Sequence, residues 1–163
     1  MINQDQATVT KPSDREYAMT RVFDAPRELV FQAYTDPQII PCWWGQRGST
    51  TTVDQMDATP GGAWRYVQRE ADGTEYAFRG EYREVEAPEL LVNTFEFEPM
   101  PGKIMVETTT FQEHDGKTEV TSTSLLDSTE DRDGMLASGM EAGASESWDL
   151  LAEWLAAARA NSR

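Results

Sequence analysis

Apolar and polar positions alternate with period two over most of the chain, and two stretches of helical period bracket that region. Arg15 to Asp24 alternates, with Tyr17, Met19, Arg21 and Phe23 on one side and Ala18, Thr20 and Val22 on the other, which predicts a first strand. Asp24-Ala25-Pro26 then opens a helix, with proline in the first turn, where its missing N–H leaves no bond unmade. Leu29, Val30, Ala33 and Tyr34 form its apolar stripe. Thr35-Asp36-Pro37 ends that helix and starts a second short one carrying Ile39, Ile40, Trp43 and Trp44.

From Thr51 the alternation predicts six more strands: Thr51–Ala58, Ala63–Glu70, Glu75–Val85, Leu90–Glu98, Lys103–Glu113 and Thr118–Leu126. The turn signals between them are Pro60-Gly61-Gly62, Asp72-Gly73, Ala87-Pro88, Pro99-Met100-Pro101-Gly102 and Asp115-Gly116. Links this short imply an antiparallel meander. Ser128 to Asp133 caps a short helix through Leu136, and Ser138 with Glu141 has capping-box spacing for a longer helix to about Ala160. Met140, Ala144, Trp148, Leu151, Leu155 and Ala158 form that helix's apolar stripe. Met1 to Pro12 is polar and without a clear period. The expected organisation is a flexible tail over 1–14 and one domain over 15–160.

Composition narrows the function classes. A chain of 163 residues with 39% apolar content, five Trp, five Tyr and six Phe has enough to build one core. A single cysteine, Cys42, excludes an internal disulfide and a cysteine-built metal site. No apolar run approaches about 18 residues and the N-terminus has no apolar signal core, so a soluble cytoplasmic protein is expected. The formal net charge of −15, with scattered bases, repels phosphate backbones and anionic lipid. No nucleic-acid or membrane partner is expected. An acidic docking face for a basic protein partner stays open, and the chain is expected to be a monomer or homodimer.

Catalytic chemistry finds little support in the residue types. The only histidine, His114, falls in the hairpin tip Glu113-His114-Asp115-Gly116, where nothing holds it between a nucleophile and an orienting group. Histidine triads and zinc sites are therefore not expected, and neither a metal nor a cofactor is needed. Cys42 reads as a small buried or half-buried thiol. Glu96 and Glu98 alternate opposite to Phe95 and Phe97 and should face water, while Asp54 or Asp57 could project inward. No catalytic residue is assigned.

Aromatic positions carry the stronger signal. Trp64 and Tyr66 share one face of their strand; Tyr76, Phe78, Gly80 and Tyr82 share one face of the next; Phe95 and Phe97 share one of the third. Those faces can point together at the last helix, which contributes Met140 and Trp148. Plain core packing explains most of them. A cavity is favoured by Gly80, which interrupts an aromatic stripe, and by Gly139 and Gly143, which thin the start of the long helix.

The element order resembles the START-like superfamily, also called SRPBCC or birch-pollen-allergen-like. Ala25-Pro26-Arg27-Glu28-Leu29-Val30-Phe31 with Thr35-Asp36-Pro37 is similar to that group's first helix. Trp43-Trp44-Gly45 resembles the paired-Trp turn of the branch named for the activator of the heat-shock-protein-90 ATPase. Gly61-Gly62-Ala63-Trp64-Arg65-Tyr66, Phe78 to Val85 with Pro88 to Val92, Lys117 to Thr121 and Gly139-Met140-Glu141 through Leu151 complete the likeness over about Tyr17 to Leu155. Gln46 stands where a proline commonly follows the glycine of that turn. The large N-terminal domain of the co-chaperone version is not expected.

The resemblance implies an α+β helix-grip fold: a curved antiparallel sheet of six to seven strands, two short helices after strand 1, and a long C-terminal helix across the sheet. It also implies, as the leading expectation, non-catalytic binding of a small hydrophobic or aromatic ligand between sheet and helix. The expected ligand-binding residues are Trp43, Trp64, Tyr66, Phe78, Gly80, Tyr82, Phe95, Phe97, Met140 and Trp148. A cyclase- or hydrolase-type enzyme using the same pocket is one alternative. A regulatory, stress-response or co-chaperone-like interaction module is the other.

Overall fold

The computed structural model describes residues 7–161 and shows one eight-stranded antiparallel sheet with four helices. Its strands are β1 (Thr8–Ser13), β2 (Glu16–Phe23), β3 (Thr50–Met56), β4 (Ala63–Arg69), β5 (Glu75–Glu86), β6 (Leu90–Phe97), β7 (Ile104–His114) and β8 (Lys117–Leu125). They lie in the order β1-β2-β8-β7-β6-β5-β4-β3. β3 to β8 thus form the expected meander, and β2 closes against β8, with Tyr17 opposite Ser124 and Phe23 opposite Thr118. The connection from β2 to β3 crosses the whole width of the sheet. It is built from α1 (Arg27–Thr35) and α2 (Ile40–Trp43).

The sheet has eight strands rather than six or seven, because Thr8–Ser13 pairs with β2 through Thr8 to Thr20 and Val9 to Met19. That segment was expected within a tail. Val9 alone of its six residues is half-buried, packed against the core, and one apolar position makes no alternation; Lys11 and Pro12 are residues suited to an edge. The beginning of the expected tail, 1–6, lies outside the described residues.

α3 (Thr129–Ala137) starts as expected, with the Ser128 hydroxyl accepting the Asp131 N–H at 3.0 Å. The capping box at Ser138 does not form. The Ser138 hydroxyl instead donates to the Met135 carbonyl at 2.6 Å, and the chain turns into α4 (Met140–Asn161) at Gly139, whose φ is +86°. A left-handed residue here favours glycine, so the break between α3 and α4 is set by backbone freedom rather than by a side-chain cap.

Burial of α4 follows its stripe. Leu151 and Leu155 are 0% and 2% exposed, and they share one core with Phe23, Val30, Trp43, Phe111 and Val120. The Trp148 ring meets Phe23 edge-on at 5.7 Å between centroids. Two ion pairs hold the same helix to β2 and its end: Arg21 to Asp149 at 2.7 Å and Arg159 to Asp24 at 3.1 Å. α2 is joined to α4 by Ser147, whose hydroxyl donates to the Trp43 carbonyl at 2.9 Å. Among the described residues no helix is long and apolar enough to cross a membrane.

Candidate ligand cavity

Between the sheet and α4 lies a cavity of about 800 Å³, within the range of about 300–1,000 Å³ typical of small-molecule sites. The sheet supplies its floor, and register decides which side chains form it. Tyr82 stands opposite Asn93, Asn93 opposite Glu107, Glu107 opposite Ser124, and Ser124 opposite Tyr17. One polar row therefore runs across β5, β6, β7, β8 and β2, and all five side chains line the cavity. A second row, Leu91, Thr109, Ser122 and Met19, lies beside it.

The walls are aromatic. Trp44, at the end of α2, meets Tyr66 and Phe78 edge-on, with centroids 5.1 and 5.0 Å apart. Phe78 stacks on Phe97 at 5.1 Å and tilts against Phe95 at 5.6 Å. At the far end Trp148 Nε1 donates to the Tyr34 hydroxyl at 2.9 Å, while Trp43 Nε1 donates to the Ala33 carbonyl at 3.0 Å. Both polar tips are thus satisfied within the wall, so their apolar faces stay available. The rim is formed by Tyr76, Met100 and Ile104, whose exposures of 36%, 56% and 45% are the largest among the bulky apolar side chains described.

Nine of the ten expected ligand residues line this space: Trp43, Trp64, Tyr66, Phe78, Tyr82, Phe95, Phe97, Met140 and Trp148. Gly80 does not, contrary to the open volume expected from its place in the aromatic stripe. A Cβ on Gly80 would fall 2.0 Å from the Thr94 carbonyl oxygen and 2.5 Å from Trp64 Nε1. The glycine lets the Trp64 indole lie against the backbone; it opens no volume. That indole N–H, buried over the strand, has no hydrogen-bond partner. Gly143 does face the cavity, and the Gln46 amide lies where its side chain would be, 2.7 Å from the Cβ position.

Expectations about the acids and the thiol also change. Asp54 and Asp57 are exposed, Asp54 beside Arg65 at 3.3 Å, and neither lines the cavity. Glu96 is on the side opposite Phe95 yet is buried, because Arg79 at 2.8 Å and the Gly102 N–H at 2.8 Å close over it. Cys42 is exposed rather than half-buried. His114 is exposed at the β7–β8 tip.

The inward acid is Glu107, which sequence reasoning missed together with Trp44, Tyr17, Tyr34 and Asn93. Its carboxyl receives one hydrogen bond, from Asn93 Nδ2 at 3.3 Å, and desolvation raises its pKa to about 7. Burial also raises three facing tyrosines, and the Glu107 charge adds to each. Tyr17 is pushed up to about 12 against a hydrogen bond with Ser124, and Tyr34 and Tyr66 go up as well. The phenols therefore stay neutral while the carboxyl can change charge near neutrality. No group of three or more metal-ligating side chains occurs among the described residues.

Comparison with known proteins agrees with this architecture. A Rhodobacter sphaeroides protein of known structure is 25% identical, with a TM-score of 0.88 over 93% of this chain and 99% of its own. A Mycobacterium smegmatis protein is 29% identical, with a TM-score of 0.82 over 91% of this chain and 96% of its own. A Staphylococcus epidermidis protein is 29% identical, with a TM-score of 0.78 over 91% and 93%. No curated protein gives a significant match. The family model described as activator of Hsp90 ATPase homolog 1-like protein matches residues 24–156. From the paired-Trp turn to the buried face of α4, the chain belongs to that family.

Proposed function

We propose that this protein binds a small apolar or aromatic molecule without transforming it, in the cavity between the sheet and α4. The observation that carries this reading is the aromatic wall around an 800 Å³ space, where a solidly packed core would leave few voids larger than a water. The exposed apolar rim supports it, since bulky apolar groups at a cavity mouth lose water contact when a ligand enters. Calorimetric titration with neutral aromatics of naphthalene size tests it. Saturable binding to wild type, weakened about tenfold or more in Phe78→Ala and unaltered in His114→Ala, is the expected result. Equal affinity in Phe78→Ala and wild type, with the fold intact, would overturn the pocket assignment.

One observation favours catalysis as a second reading: Glu107 can give or take a proton near pH 7 inside the same space. Incubating protein with a bound ligand and weighing the ligand afterwards separates the two. An unchanged ligand mass supports binding alone, and a changed mass that needs Glu107 supports an enzyme.

A further inference from the structure

We propose that the ligand is a lipophilic amine: an apolar or aromatic body with one basic nitrogen, held as its ammonium against the Glu107 carboxylate. This rests on the cavity-binding reading above and names the chemical class that the cavity takes.

Three observations converge on it. The first is position. Glu107 stands mid-row on the floor, between Asn93 and Ser124, whereas the other acids lining the cavity, Glu70, Asp127, Glu130 and Asp131, come from the ends of β4 and β8 and the start of α3. The second is the absence of a compensating cation among the described residues that line the space. Lys103 alone is basic there, and it lies at the rim, 3.1 Å from Asp131. The arginines of the neighbouring strands are engaged elsewhere: Arg65 with Glu98, Arg79 with Glu96, and Arg21 with Asp149. A carboxylate has about four acceptor positions, and one hydrogen bond from Asn93 leaves most of them open.

The third observation is what surrounds the acid. Tyr17, Tyr34 and Tyr66 lie close enough to feel its charge, Trp44 and Trp64 line the same space, and a ring face over a cation is worth more when both are desolvated. A neutral ligand would leave an acid with few partners in the floor, and an anion would meet like charge there and in the molecule's net −15. An ammonium ion satisfies the carboxylate and the ring faces together.

The pH dependence has a definite sign. Titratable groups lining the cavity are Tyr17 from β2, Tyr34 from α1, Tyr66 and Glu70 from β4 and its end, Tyr76 and Tyr82 from β5, Lys103 before β7, and Asp127, Glu130 and Asp131 around the start of α3; α2, α4, β6 and β8 bring none. The raised tyrosines stay neutral, so Glu107 governs the floor near neutrality. Amine affinity should rise as pH increases through about 7 and then level off until the amine loses its own proton.

The test uses three probes that share one ring: naphthylmethylamine, naphthylmethanol and naphthoate, titrated by calorimetry into the full chain. In wild type above neutrality the amine should bind roughly ten- to a hundredfold tighter than the alcohol, with naphthoate weakest. That ratio should shrink towards one at about pH 5, and in Glu107→Gln at every pH, while His114→Ala keeps the wild-type ratio. An amine no tighter than the alcohol, or a preference that persists in Glu107→Gln, overturns the amine assignment and leaves the cavity reading standing. Should Glu107→Gln fail to fold, the wild-type pH profile decides alone, and a flat profile overturns the proposal. Absence of binding by all three probes overturns both.

Discussion

Glu107 combines two properties that pull against each other: it is ionisable, and it sits where ionisation is costly. With a folded pKa of about 7 against an ordinary 4.5, the folded state holds its proton more tightly than the unfolded chain. The folded protein therefore loses stability as pH rises from about 4.5 to about 7, and the loss is complete above that window. Glu107→Gln removes the penalty, so it should stabilise the ligand-free protein by about 1–3 kcal/mol above neutrality and by little near pH 4. Denaturant midpoints at the two pH values check this, and an equal effect at both would contradict it. Gly80 makes the opposite case. Gly80→Leu should destabilise by at least about 1–3 kcal/mol in thermal melts, because its side chain must displace Trp64 or Thr94.

These two residues also show where the sequence stops being legible. A gap in an aromatic stripe has two origins, open volume or a ring from the next strand, and only the register of Trp64 opposite Gly80 tells them apart. Glu107 lies in Val106-Glu107-Thr108-Thr109-Thr110, where apolar contrast between the faces is too weak to say which one is inward. Its inward direction becomes visible only through its pairing with Asn93 and Ser124. Strands such as β4, with Trp64 and Tyr66 against Arg65 and Val67, have no such ambiguity, and their inward residues were readable.

Among the elements, α4 is the one whose failure would dismantle the cavity. Its stripe was legible because a helix that buries Trp148, Leu151 and Leu155 must place them three and four apart. Leu151→Ala should cost about 2–5 kcal/mol, since the residue is fully buried beside Phe23 and Trp148. A loss of that size in the unfolding free energy from urea titration, with ligand affinity lost in parallel, is expected; a loss under about 1 kcal/mol would mean α4 is not held as described. The start of the helix was less legible. Ser138 and Glu141 have the spacing of a capping box, but a positive φ at Gly139 decides the break, and backbone sign leaves no side-chain pattern. β1 was illegible for a related reason: an edge strand with Val9 as its one half-buried residue shows no alternation.

For the molecule as a whole, the family and its fold account for a sheet that wraps one long helix, and the sequence order of elements was sufficient to see that. Fold does not select a ligand, however. The proposed selection lies in Glu107, which register places in a row of five side chains from five strands that no local pattern could assemble. The test is carried by the indole N–H resonances of the uniformly labelled protein during titration with naphthylmethanol, a neutral probe that isolates the cavity from its charge. Trp43, Trp44, Trp64 and Trp148 line the space, while Trp154, on the helix of Trp148, does not. The expected result is saturable shifts among the first four resonances with Trp154 unmoved; shifts confined to Trp154, or none at all, would contradict a ligand cavity beneath α4.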